Sequence, residues 1–319
     1  MPIHEFDIIK KYFKAQATAR KDIITGIGDD AAVVSVPPNH QLVISTDTLV
    51  SGIHFFSNTD PEDIAYKSLA VNLSDMAAMA ATPAWVTLSL TLPEANEHWL
   101  QHFAESFFEL AQAHHVALIG GDLSSGPLSV TIGIYGFVPT NTALKRSGAK
   151  PGDLIYVTGN LGAAAFAVQM LQQGFNVPLT PNILQRLYRP IARVKEGELL
   201  RAIASAAIDI SDGLLADLNH ILEASHCGAK IESSALPIHQ ELLSRVSLPE
   251  ARKLALSGGD DYELCFTVSE DNIPALKNLA NQLECPITKI GQITSEQGLQ
   301  IYDEKDQVIQ ISHLGYQHF

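Results

Sequence analysis

Basic residues are scarce. Lys and Arg total 21 against 35 Asp and Glu, for a net charge of -14. A surface built to grip nucleic acid carries the opposite balance, so a nucleic-acid partner is not expected. The same shortage sets a problem for any phosphate ligand, because something cationic must stand between it and this chain. Cysteine is scarce too. Cys227, Cys265 and Cys285 lie far apart with no C-x-x-C pair. They make neither a disulfide framework nor a zinc knuckle, and an odd count suits a reducing cytosol. Long apolar runs are missing. The longest mostly apolar stretch, 76–86, is broken by Thr82 and Pro83 and is far shorter than the roughly 20 residues of a membrane span. The N-terminus carries Glu5 and Asp7 in an amphipathic pattern and lacks the apolar segment of a signal peptide. The expectation is a soluble cytoplasmic protein with no membrane partner. No G-x-x-x-x-G-K-[ST], H-R-D or D-F-G set occurs, which excludes a P-loop enzyme and a protein kinase.

What is present reads as two globular domains. The chain has 319 residues, 46% apolar and 18% charged, a profile that argues against disorder. In the first half, 31–36 and 41–46 are β-branched runs split by Pro37-Pro38-Asn39. Asp60-Pro61-Glu62-Asp63 starts a helix running to about residue 80. A strand follows at 85–92, then a helix at 94–115 with Trp99, Phe103, Phe107 and Leu110 on one face. A short strand at 116–119 ends in Gly120-Gly121-Asp122, and 128–138 alternates as a longer strand. The polar joint PTNTALKRSGAKP, 139–151, marks the boundary. The domains are therefore 1–139 and 140–319. Beyond the joint, strands at 153–158, 206–210, 263–268 and 287–293 alternate with helices at 162–173, 214–225 and 273–283. The fold class is α/β.

The aspartates carry the chemistry. They stand at the ends of apolar runs beside glycine or hydroxyl residues: Asp29 and Asp30 in GIGDDAAVV, Asp47 in LVISTDTLV, Asp75 in VNLSDMAAM, Asp122 in LIGGDLSSG, Asp209, Asp212 and Asp217 in IDISDGLLADL, and Asp260 and Asp261 in LSGGDDYELCF. Asp and Gly are also ordinary turn residues, so each site alone has a turn reading. Together they point to a common acidic centre. On a helix over 61–80, 100° per residue puts Ile64, Ser68, Val71, Asn72 and Met79 within about 60° of Asp75. Lys67, about 80° away, is the nearest cation on that wheel. A carboxylate on such a face needs a partner or a metal. Oxygen ligands without His or Cys select hard ions, Mg²⁺ or Ca²⁺. Several Mg²⁺ ions would also give an acidic chain its grip on phosphates and make a nucleoside triphosphate the natural ligand.

Other patterns carry less. Gly26-Ile27-Gly28-Asp29-Asp30-Ala31 matches G-x-G-x-x-A, but its two acids repel a pyrophosphate and a strand-like run follows where a helix is required. Thr158-Gly159-Asn160-Leu161-Gly162 opens a helix and offers N–H groups to an anion, a common feature of βα turns. His98 and His102 in HWLQH stand four apart with no third ligand evident. His114-His115 suits a helix C-terminus. Arg146 in the joint is a candidate phosphate clamp.

The motifs GIGDDAAVV, STDTLVSGIHF, DIAYKSLAVNLSDMAAMAATP, GGDLSSG, RSGAKPGD, DISDGL and SGGDDYEL, in this order, resemble the thiamine-monophosphate kinases, a family within the aminoimidazole-ribonucleotide synthetase (PurM-like) superfamily. The resemblance covers essentially the whole chain. It implies a two-domain PurM-like fold, an N-terminal α/β domain forming a dimer sheet or barrel plus a C-terminal α/β domain. The implied activity is transfer of the ATP γ-phosphate to thiamine monophosphate with several Mg²⁺ ions, in a homodimer. Carried over by position, Asp30, Ser45, Thr46, Asp47, Asp75, Asp122, Asp209 and Asp212 are implied metal ligands. Gly121, Asp122, Arg146 and Ser211 are implied ATP contacts, and His54 and Glu263 implied substrate contacts. An aromatic near the C-terminus, Phe319 or Tyr316, is implied to stack on the thiamine. No side chain is expected to act as general base. No Cys precedes residue 227 and the chain ends in Phe319, which sets it apart from the selenophosphate synthetase and hydrogenase-maturation branches. Another ATP-dependent synthase of the superfamily and a non-catalytic nucleotide-binding protein remain as alternatives.

Overall fold

The computed structural model describes residues 4–174, 178–283, 285–310 and 314–316. It divides into two compact units. The first holds 1–76 and 81–141, the second 77–80 and 142–319.

The first unit starts with a short helix α1 (Glu5–Ile8), continued by single π and 3₁₀ turns to Gln16. The strands β1 (Ile23–Thr25) and β2 (Val33–Val34) form a small antiparallel ribbon. Then come β3 (His40–Val50), α2 (Pro61–Ala78), β4 (Thr82–Leu92), α3 (Glu97–Ala113), β5 (Ala117–Ser125) and β6 (Ser129–Pro139). The α2 start follows from its sequence. The Asp60 carbonyl accepts from the N–H groups of Asp63 and Ile64, and Pro61 occupies the first position, where no N–H is needed. Asn96 caps α3 by accepting from the Trp99 N–H at 3.1 Å. Trp99, Phe103 and Phe107 then stack along one face, with centroids 5.0 and 6.4 Å apart.

Four strands make one sheet in the order β3-β6-β4-β5. β6 is central. It pairs antiparallel with β3 along its whole length and with β4 on its other side. The alternation read at 128–138 is present, with Val130, Ile132, Ile134 and Val138 fully buried. Its partners, not evident from the sequence, lie within the same unit: both edges of β6 are paired, and the open edges belong to β3 and β5. β5 also runs longer than 116–119. It stays in register with β4 through Ser125. The glycines read as a stop absorb an irregularity where Val86 and Thr87 face Leu118 and Gly120.

In the second unit, β7 (Leu154–Thr158), α4 (Ala163–Gln173), α5 (Pro181–Tyr188), α6 (Val194–Leu200), β8 (Ala206–Asp209), α7 (Leu214–Ser225) and β9 (Gly228–Glu232) are followed by α8 (Gln240–Arg245), α9 (Leu248–Ser257), β10 (Leu264–Val268), α10 (Ile273–Ala280), β11 (Ile287–Thr294) and β12 (Gly298–Tyr302). The sheet order is β12-β9-β11-β7-β10-β8. Strands and helices alternate in sequence, yet neighbouring strands are antiparallel except for the β12–β9 pair. Leu214, Leu218, Ile221 and Leu222 of α7 pack with Ile155 and Ile208 in the unit's core. Gly174 ends α4 at φ 63°, a left-handed cap that glycine adopts without strain.

One glycine position is fixed by close approach. Gly121 has φ +153°, and a Cβ there would stand 1.8 Å from the Leu88 carbonyl oxygen. Gly121→Ala must push β5 away from β4. We expect a loss of about 1–3 kcal/mol, read as a lower urea midpoint with an unchanged slope.

Candidate functional site

Strand alternation sorts the first unit's candidates. Odd positions of β3 put Ser45 and Asp47 on one face, half-buried, while Thr46 and Thr48 are exposed on the other. Asp75, on α2, reaches the first pair: the Ser45 hydroxyl donates to its carboxylate. Asp47 is crowded as a result. Burial, and then the charge of Asp75, push its carboxyl up to about 6. Thr46 turns away and donates through Oγ1 to the Ile132 carbonyl at 3.1 Å. Thr48 meets Thr131 on that same outer face at 2.9 Å. Asp122 pairs in register with Ser89, itself opposite Thr131, so it belongs to the outer face as well. It is exposed and accepts from Ser124 at 2.7 Å. Asp30 is exposed, its N–H bonded to Asp29 Oδ1. The structure thus joins Ser45, Asp47 and Asp75, and places Thr46, Asp122 and Asp30 elsewhere on the unit.

Among the described residues no group of three or more His, Cys, Asp or Glu stands close enough to hold a metal ion. The donors at Asp47 and Asp75 suit Mg²⁺ in another way. That ion keeps several waters and commonly takes one or two carboxylates plus substrate phosphates. All the donors are oxygens, and the strained carboxyl of Asp47 is the group a dication would relieve. Lys67, the cation nearest Asp75 on the helical wheel, is 3% exposed and donates to the His54 carbonyl at 3.3 Å. His54 Nδ1 accepts from the Val50 N–H at 3.0 Å. The neutral ring therefore carries its proton on Nε2, where it can donate to an anion but has no lone pair to receive a proton.

The second unit is organised by carboxylates that have already found partners. Between β8 and α7, the buried Asp217 accepts through Oδ2 from the N–H groups of Ser211, Asp212 and Gly213 at 3.0–3.1 Å. Burial, and then the charge of Asp212, push its carboxyl up to about 7, opposed by those amides. Asp217 therefore holds the loop that presents Ser211 and Asp212, both half-buried, beside the buried Asp209. A second loop zips onto the first. The N–H groups of Asp260 and Tyr262 donate to the Ser211 and Ile210 carbonyls, each at 2.8 Å. Both residues have positive φ, 68° and 50°, a strain that tends to persist at functional loops. The Tyr316 N–H donates to the Asp212 carbonyl at 3.0 Å, which ties that aromatic to the same loop. Phe319 lies outside the described residues. Arg146 is exposed, and its carbonyl is held by the Ser225 hydroxyl at 3.0 Å.

Glu263, an implied substrate contact, lies inside the second unit. It is 1% exposed. Arg193 grips it with Nε to Oε2 and Nη2 to Oε1, both at 2.6 Å; Thr158 donates to Oε2 at 2.7 Å, and Arg186 lies 3.5 Å away. Both carboxylate oxygens are engaged inside the protein. Removing one partner of such a pair costs about 3–5 kcal/mol. The turn 158–162 wraps this cluster. A Cβ on Gly159 would lie 1.9 Å from Glu263 Oε1, and the Gly162 N–H, opening α4, donates to both oxygens of the buried Asp261 at 3.0 and 2.9 Å. The acceptor at this helix N-terminus is the protein's own side chain, a carboxyl that burial pushes well above its usual range against the pull of the Gly162 N–H. Sequence reading missed Arg193, Arg186 and the loop-holding roles of Asp217 and Asp261. The partners of Glu263 lie about 70 to 105 positions away, and ion pairs at that separation leave no local pattern.

Comparisons agree with this architecture. Residues 28–138 match AIR synthase related protein, N-terminal domain, and 150–304 match its C-terminal domain. Thiamine-monophosphate kinase of Salmonella typhimurium (strain LT2) is 49% identical, covering 100% of this chain and 99% of that protein. The crystal structure of thiamine-monophosphate kinase from Stenotrophomonas maltophilia K279a superposes with a TM-score of 0.87 at 47% identity, over 94% of this chain and 97% of that one. A structure of AaThiL complexed with AMPPCP and TMP gives 0.78 at 28% identity, over 99% and 97%. With both domains matched and near-half identity along the full length, the chain belongs to the thiamine-monophosphate kinase family.

Proposed function

We propose that the chain moves the γ-phosphate of ATP directly onto the phosphate of thiamine monophosphate, giving thiamine diphosphate and ADP. The observation that carries this reading is the 49% identity over the full length to a thiamine-monophosphate kinase. A likeness to AaThiL complexed with AMPPCP and TMP supports it. A coupled ADP assay tests it: thiamine monophosphate should drive ADP release, free thiamine should not, and no inorganic phosphate should accumulate. Phosphate release matched to turnover would instead indicate a synthase.

Several Mg²⁺ ions belong to this reading. In the first unit Ser45, Asp47 and Asp75, with Asp30 and Asp122, are assigned to Mg²⁺, and in the second unit Asp209 and Asp212 are. Thr46 joins them only by releasing the Ile132 carbonyl. Bound there, Mg²⁺ would neutralise phosphate charge that a chain of net charge -14 otherwise repels. Gly121, Asp122, Arg146 and Ser211 are assigned to ATP, and His54 to the acceptor phosphate. Glu263 is assigned to holding the turn at 158–162. Tyr316 is assigned to stacking on the cationic thiamine ring, supported by its tie to the Asp212 loop. Asp75→Asn and Asp122→Asn should each lower kcat/KM at least about 100-fold, since each removes a charge that anchors phosphate-bridging ions. Near-normal kinetics in both would reject these assignments.

The chemistry needs little else. The acceptor is a phosphate monoester with a second pKa of about 6, so near pH 7 it arrives largely as the dianion. Binding both phosphates in line is the remaining task. His54, with its proton on Nε2, donates and does not deprotonate. The pH–rate profile should rise with the acceptor's own ionisation and stay flat above about pH 7.5. His54→Asn should raise KM and leave the profile's shape intact. Loss of kcat with rescue by imidazole would reverse that assignment.

A cytoplasmic homodimer through the first unit completes the reading. Cys227, Cys265 and Cys285 are free and buried. No helix among the described residues is long and apolar enough to cross a membrane. Leu42 and Ile44 on the open strand β3 are 43% and 61% exposed, and Ile24 of β1 is 68% exposed, the kind of apolar edge that chains cover. Sedimentation at micromolar concentration should give twice the monomer mass. A species of monomer mass would contradict the dimer.

A further inference from the structure

The histidines of HWLQH acquire a setting that the sequence concealed. His98 and His102 lie one turn apart on α3, with ring centroids 4.2 Å apart. Their Nε2 atoms face each other at 3.1 Å. Behind them, His102 Nδ1 is 2.5 Å from Glu62 Oε1 on α2. The register of the two helices is fixed by a further bond, from the Ser106 hydroxyl to the Glu62 carbonyl at 2.8 Å. All three side chains belong to the first unit.

The distances have a chemical meaning. Imidazole nitrogens bind a borderline dication at about 2.0–2.1 Å. Two such nitrogens 3.1 Å apart subtend about 98° at a shared ion placed at that bond length, between the octahedral and tetrahedral angles. The Glu62 contact sets the tautomer. With Nδ1–H donating to the carboxylate, His102 presents a bare lone pair at Nε2, the carboxylate–histidine arrangement found behind metal ligands. His98 is exposed and His102 and Glu62 are about one-third exposed, so an ion and its waters can reach the pair. Imidazole favours Zn²⁺, Cu²⁺ or Ni²⁺ over the hard ions that an oxygen-only centre selects.

We propose that His98 and His102, with Glu62 behind His102, form a two-histidine site for Zn²⁺ on the α2–α3 surface. On binding, the His98 proton sits at Nδ1 and both Nε2 atoms ligate. Water fills the remaining positions, because among the described residues no third protein ligand of the His, Cys, Asp and Glu class completes a cluster. The site is separate from the phosphate-transfer residues and does not depend on their assignment.

Calorimetric titration of the full chain with Zn²⁺, in millimolar Mg²⁺ to occupy oxygen sites, tests this directly. One equivalent should bind, and His98→Ala and His102→Ala should each weaken it at least about tenfold. Glu62→Gln should weaken it about 10–100-fold as a support residue. Alanine at these surface helix positions favours folding. Both variants should remain folded without zinc, and added zinc should raise the melting temperature of the parent chain more than that of either variant. ADP formation in Mg²⁺ should be unchanged in His98→Ala. Zinc binding of equal strength and stoichiometry in parent and both histidine variants would overturn the proposal, as would the absence of zinc binding by the parent.

Discussion

Repulsion between carboxylates is the constraint from which the rest follows. Asp47 and Asp75 come close where the Ser45 hydroxyl of β3 meets Asp75 of α2, and burial first, then the charge of Asp75, disfavours the ionised form of Asp47. In the function proposed above, a dication and a phosphate ligand would remove this penalty on binding. On that proposal the acidic composition would serve nucleotide binding instead of opposing it.

The second unit eases the same tension only in part with its own groups, since burial still holds the Asp217 carboxyl at about 7 and pushes Asp261 well above the usual carboxylate range. Asp217 is held by three amides, Asp261 by the Gly162 N–H, and Glu263 by Arg193 and Thr158. These side chains shape two interlocked loops. Asp209 ends β8 and Asp212 lies in the loop that Asp217 holds.

The reach of an interaction along the chain explains much of what could be read from sequence. The start of α2 was legible because Asp60-Pro61 acts locally, and β6 because its alternation is regular. The family was legible from seven motifs in order. The partners of β6 were not, since pairing is a long-range property. β5 was cut short because glycines that absorb an irregularity resemble glycines that end a strand. The family resemblance implies a substrate contact at Glu263 and is silent on its partners inside the protein. Only the fold reveals that Arg193, seventy positions away, already holds it. Thr46 was grouped with Ser45 and Asp47 by adjacency, whereas a strand sends adjacent side chains to opposite faces.

The central claim is that nucleotide is held through metal ions and that direct contacts with the protein do little by themselves. Calorimetric binding of a non-hydrolysable ATP analogue, with and without Mg²⁺, measures this most directly. The account predicts tight binding in millimolar Mg²⁺ and none measurable in EDTA. Equal affinity in both conditions would contradict it.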